Sequence, residues 1–205
     1  MAGLAEVLAR PSLEVAPALL GATLRHRTPE GEVAVRLTEV EAYAGADDPG
    51  SHAYRGVTRR NEVMFGPPGR LYVYFTYGMH HCCNVVVGTE GTASAVLLRA
   101  GEVVEGVELA RCRRPGSSDR DLARGPARLC KVLAIDGRHN GAELSSGDLT
   151  LTPEDPVPAE GVATGPRVGL RDAADHPWRF WLRDDPTVST YRPAAPLRRR
   201  RTPPA

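Results

Sequence analysis

Aromatic residues are scarce in this sequence of 205 residues, which holds two tryptophans, three phenylalanines and six tyrosines. Lysine is scarcer still: all of the 26 basic residues except Lys131 are arginine. Abundant Ala, Gly and Pro accompany that arginine excess, so codon bias accounts for the excess itself. Only four cysteines occur, Cys82, Cys83, Cys112 and Cys130. They form no CxxC pair and no small-secreted-protein spacing, which excludes a disulfide scaffold and points to buried thiols in a reducing compartment. No uninterrupted apolar run approaches ~18 residues, so no membrane span is expected. Met1–Arg10 lacks a basic start followed by an apolar core, so no secretory signal is read and a cytoplasmic location is expected for a prokaryotic chain.

What is present is ordinary in bulk. An apolar fraction of 41% and a charged fraction of 25% suit a globular chain. The length fits one domain, expected over 1–191, with an Arg- and Pro-rich tail over 192–205 expected to be disordered. The net charge of +1 conceals an uneven distribution. Arg111, Arg113, Arg114, Arg120, Arg124 and Arg128 fall in one region, and Arg198–Arg201 form a run. Such clusters bind phosphate or simply make a solvated basic face, so charge alone names no partner.

Periodicity gives the elements. A helix is expected over Leu13–Leu20, capped by Ser12 and ended by Gly21. Strands Thr23–Arg27 and Glu32–Thr38 flank the turn sequence Thr28-Pro29-Glu30-Gly31. Ala44–Arg70 reads as a long loop with one helical turn near Arg60–Met64, and a loop of that length between strong strands favours function. Strands are expected at Leu71–Thr76, Cys82–Val87 and Ala93–Arg99, helices at Val107–Arg114 and Pro126–Ala134, and late strands at Asp148–Thr152 and Arg179–Arg183. The sum is a mixed α/β (α+β) single domain. Its mainly antiparallel, curved sheet is surrounded by helices and long loops and carries a protruding β-hairpin.

Two features point to chemistry. Glu39 and Glu41 end an apolar strand and share the parity of Val33, Val35 and Leu37, so a regular strand points both at the apolar face. A carboxylate there is paired or has a raised pKa, and either marks a candidate general base. The alternative is a strand end fraying into water. Secondly, Tyr72, Tyr74, Phe75 and Tyr77 crowd one hairpin. Core packing explains Phe75. Tyr77, on a turn beside Gly78, is an exposed ring suited to insertion between bases, or one folded back on the sheet.

These segments, with Ser51-His52, Arg60-Asn61, Met64-Phe65, Pro68–Tyr74, Tyr77-Gly78-Met79, Asn84-Val85, Val96–Ala100, Gly125–Cys130 and Gly165–Gly169, resemble the 3-methyladenine DNA glycosylases of the alkyladenine (methylpurine) type. The likeness runs in order over roughly Ser12 to Val188. It implies that Glu41 is the base that deprotonates water, with Arg99 beside it at the water and a nearby phosphate. A carboxylate next to a guanidinium stays ionised, as a general base must. It implies further that Tyr43 and His52 hold a flipped purine, that Tyr74 closes the pocket from the side, and that Tyr77 fills the gap left in the duplex. Asn84 would exclude normal guanine; taken alone, it is equally a buried strand Asn bonded to backbone.

The partner implied is double-stranded DNA containing damaged purines, acted on by a monomer with no metal and no organic cofactor. His81 and Cys83 depart from the family's bulky apolar or aromatic residues. Four consecutive strand residues, His80 to Cys83, cannot all face one ion. No lysine stands at the implied site, so water rather than an amine is the expected nucleophile and an abasic site the product. Two other readings share these features: a non-catalytic module that binds deformed DNA, and an N-glycosidase of free nucleosides.

Overall fold

The computed structural model describes residues 3–76 and 78–195; Tyr77 and the arginine run of the tail lie outside the described residues. In chain order the elements begin with α1 (Leu4–Leu8), α2 (Ser12–Ala18), β1 (Thr23–Thr28) and β2 (Gly31–Ala44). Next come β3 (Leu71–Thr76), β4 (His80–Val87), β5 (Ser94–Glu105), α3 (Val107–Arg113) and the two-residue β6 (Ala123–Arg124). The chain continues through α4 (Pro126–Val132), β7 (Leu149–Thr152), β8 (Val162–Gly165) and β9 (Arg179–Leu182). All the strands are antiparallel in one sheet, ordered β3-β4-β5-β2-β1-β7. The short β6 adds to β5, and the β8–β9 pair adds to β2 through β9. This is the expected α+β domain.

Strand β2 is the organising element. Its first half pairs with β1 and its second half with β9, while β5 lies along its other edge. It continues through Glu39 and Glu41 to Ala44, because Glu39–Ala44 has strand partners of its own. Pro29 and Glu30 make the two-residue turn into it, closing on Thr28↔Gly31. The helices cover the apolar face, where Val33, Val35, Leu37, Leu71, Val73, Val96, Leu98, Leu129 and Leu133 form one buried core.

Four sequence expectations are corrected. Cys112, read with the other cysteines as a buried thiol, is exposed, because α3 turns only Ala110 fully into the core. Ser12 does not cap α2: it is the first helical residue, and the Pro11 carbonyl accepts the N–H groups of Glu14 and Val15. Phe75 is not in the core but 52% exposed, against the His81 ring, because the outer end of β3 extends beyond the packed layer. Most consequentially, Glu39 and Glu41 do not share the face of Val33, Val35 and Leu37. Leu37 pairs with Gly101 and Glu39 with Ala100, which leaves Thr38 as an extra residue on β2. Val40 then pairs with Leu98, leaving Arg99 extra on β5. A bulge of one residue reverses the parity of the strand beyond it. Val40 and Ala42 therefore enter the core, and Glu39 and Glu41 turn to the opposite face.

Candidate active site

On that opposite face lies a cavity of about 330 Å³, a size suited to a small organic group. Glu41, Tyr43, His52, Tyr74, Asn84 and Arg99 all line it. Of the residues singled out from sequence for the site, only Tyr77 cannot be placed, since it lies outside the described residues.

Glu41 is fully buried and held on both oxygens. Its Oε1 accepts the Val168 N–H at 2.7 Å and lies 3.4 Å from Arg99 Nη1. Its Oε2 accepts the Tyr43 hydroxyl at 2.9 Å. Burial, then the Glu41 charge, raises the Tyr43 pKa well above the ordinary phenol value, so Tyr43 keeps the proton it donates.

Glu39 is buried too, but it does not line the cavity. Its carboxylate accepts from Arg99 Nε at 2.8 Å, Arg179 Nε at 2.6 Å, and the Ser189 N–H at 2.7 Å. Of the two candidate bases, Glu39 is occupied as an anchor and Glu41 is the one that meets the cavity. Burial works against the Arg99 cation; Glu41 and Glu39 more than offset it, and the pKa of Arg99 is raised.

The aromatic wall comes from β3 and the long loop that precedes it. Successive strand side chains alternate faces, so Leu71 and Val73 reach the core while Tyr72 and Tyr74 face the cavity, their rings stacked at 5.6 Å. His52 packs edge-on against Tyr74 at 4.6 Å, and its Nδ1 lies 3.1 Å from the Tyr72 hydroxyl. Burial, and then the Arg60 charge, lowers the His52 pKa, which favours the neutral ring. Asn61, buried inside the loop, donates to the carbonyls of His52 and Gly56 and fixes the loop's shape. Asn84 donates to the Tyr72 carbonyl at 3.2 Å, as a backbone-bonded strand Asn does, and it also lines the cavity.

His80 to Cys83 divide as strand alternation requires. Cys82 lines the cavity and Cys83 enters the core. Burial pushes the Cys82 thiol up to about 11. Among the described residues, no group of three or more His, Cys, Asp or Glu side chains gathers as a metal ion would need. No lysine is among the cavity's lining residues, and Lys131 is exposed on α4.

The methylpurine-DNA glycosylase family matches residues 6–186. A relative from Streptomyces avermitilis, carrying the name 3-methyladenine DNA glycosylase, is 58% identical over 200 residues, 95% of this chain and 94% of its own. Relatives named likewise from Frankia casuarinae and Leifsonia xyli subsp. xyli are 54% and 56% identical, over 90% and 88% of both chains respectively. The chain belongs to the methylpurine-DNA glycosylase family.

In this methylpurine-DNA glycosylase family member, several supporting residues escape sequence reasoning. The largest is Arg167, 1% exposed, whose guanidinium pairs with both oxygens of Asp48 at 2.5 and 2.7 Å. It also donates to the Ala42 carbonyl and lies between the rings of Tyr43 and Trp178. Asp48 in turn accepts from the Gly50 and Ala44 N–H groups, tying the long loop to the end of β2. The segment Gly165–Gly169 carried a family likeness but no role, and nothing local marks Asp48. Ser189 and Arg179 join the site only because the chain's end returns to Glu39.

Proposed function

We propose that this glycosylase flips a damaged purine from duplex DNA into the cavity and that Glu41 activates a water to hydrolyse the N-glycosidic bond. Glu41 accepts the water's proton as the oxygen attacks the anomeric carbon. The bond to the purine breaks with its electron pair going to the base nitrogen, and the proton follows to neutral bases. The products are a free purine and an abasic sugar. The developing oxocarbenium charge is stabilised by the same carboxylate. Arg99 orients Glu41 and meets the adjoining phosphate.

Tyr43, His52 and Tyr74 hold the base; aromatic stacking contributes ~1–3 kcal/mol per base. Cationic alkylpurines gain further from aromatic faces. Asn84 crowds the exocyclic amine of guanine. Tyr77 fills the vacated stack and offsets a flipping cost of a few kcal/mol. One flipped base needs one protomer, so the protein acts as a monomer.

The observation that carries this reading is Glu41 itself: a carboxylate bonded to Val168, Tyr43 and Arg99 while forming the wall of an aromatic cavity. Incubation with methylated duplex and with free methylated nucleosides tests it. Methylpurine released from the duplex alone is the expected result. Release from nucleosides alone would make the protein a nucleoside N-glycosidase, and lesion binding without release a damaged-DNA binding module.

A further inference from the structure

On the Arg99 side of the cavity lies a second concavity of about 260 Å³. Arg99, Arg124, Arg128 and Arg192 line it, together with Ser189 and Thr190. Arg99 and Val168 wall both spaces, so the groove opens beside the place where Glu41 works. Arg124 and Arg128 belong to one local arginine cluster, whereas Arg99 on β5 and Arg192 beyond β9 join them only through the fold.

They are not equally committed. Arg99 is bound to Glu39 and Glu41. Arg124 donates to the Val188 carbonyl and lies 3.3 Å from Asp121. Arg128 and Arg192 are exposed, and among the described residues neither side chain has an acidic partner. Like charges gathered without counter-charge repel, and an anion removes that repulsion.

The position of Arg192 is fixed by the chain beyond the family match, which ends at residue 186. Thr187 bonds Thr38, Ser189 bonds Glu39, and the Arg192 carbonyl accepts the Gly169 N–H at 3.0 Å. Residues 187–192 are thus laced across the sheet, and they carry Thr190 and Arg192 to the groove.

We propose that this groove seats consecutive phosphates of the strand that carries the flipped nucleotide, with Arg128 and Arg192 as the phosphate-binding cations. The inference rests on the glycosylase reading. With the purine in the cavity and its anomeric carbon at Glu41, the backbone leaves past Arg99, which is where the groove begins. A guanidinium fork matches phosphate oxygens in geometry as well as charge.

The test is the salt dependence of binding to an undamaged and a lesion-bearing duplex. Each phosphate contact contributes about one to the slope of log Kd against log salt. The double variant R128Q/R192Q is expected to lower the slope by about two, equally on both duplexes, with R128K/R192K restoring much of it. Arg111→Gln is the control, because Arg111 already pairs with Glu108 and Asp119. An unchanged slope in the double variant, or an equal fall in the control, overturns the groove. Tight binding of inorganic phosphate that the double variant loses would reassign it to a free anion. Wild-type protein that binds no duplex would instead overturn the glycosylase reading beneath it.

Discussion

The Arg167 guanidinium lies 4.6 Å from the centre of the Tyr43 ring. Tyr43 is thereby backed by a buried cation on one face while its hydroxyl holds the Glu41 carboxylate. Because Arg167 also pairs with Asp48, the ring, the Glu41 carboxylate and the long loop form one mechanical unit.

Breaking that unit should cost stability first. Arg167→Gln leaves Asp48 buried without its partner, and losing one member of a buried pair costs about 3–5 kcal/mol. Denaturant unfolding of the variant should show a midpoint well below wild type. Arg167→Lys keeps the charge but not the two-pronged geometry, and should fall between the two. Equal midpoints for all three proteins would show that the pair is not stabilising.

Glu41→Gln keeps the side chain's size and removes its ability to take a proton. Loss of a general base lowers rate about 100- to 10,000-fold. Single-turnover excision should fall by that much while affinity for lesion-bearing duplex is retained. Excision at near wild-type rate would transfer the role to another group.

Glu39→Gln should behave differently. Glu39 lies off the cavity and anchors both Arg99 and Arg179. Weakening that anchor should lower the unfolding midpoint more than the excision rate, whereas Glu41→Gln, which gives up one 3.4 Å ion pair, should lower the rate far more than the midpoint. Melting curves and single-turnover assays on the two variants separate the roles.

With Tyr77 proposed as the wedge, Tyr77→Ala should weaken binding to lesion-bearing duplex, because the pocket's stacking alone then offsets the unstacking cost. Fluorescence of a base analogue at the lesion reports flipping directly. Unchanged affinity and unchanged flipping would remove the wedge.

His26 gives the protein a stability that depends on pH. Its Nδ1 meets the Leu133 carbonyl at 2.5 Å inside the core, and burial lowers its pKa below the ordinary 6.5. The unfolded chain therefore binds the proton more readily than the folded one. The contribution is complete above about pH 6.5 and is lost as pH falls toward the folded value. The difference in unfolding free energy between wild type and His26→Gln should shrink as pH drops through that window. A difference that stays constant would assign His26 a role independent of its protonation.

The sequence by itself determined seven of the nine strands, missing the short β6 and β8, and it determined the family. Alternation sorted Leu71 and Val73 from Tyr72 and Tyr74, since strand geometry sends successive side chains to opposite faces whatever the context. The resemblance of short segments to the glycosylase family marked Glu41, Tyr43, His52, Tyr74, Asn84 and Arg99, and all six meet at one cavity. Tertiary structure decided which way Glu39 and Glu41 point. The extra residue at Thr38 arises from pairing with a β5 that carries its own extra residue at Arg99, and no reading of β2 alone contains its partner's register. Arg167 bonded to Asp48, and Ser189 bonded to Glu39, are likewise contacts across 119 and 150 residues of chain. Periodicity is a local property and survives in sequence; the pairing of buried charges is not, because each is stable only where the finished fold brings its partner.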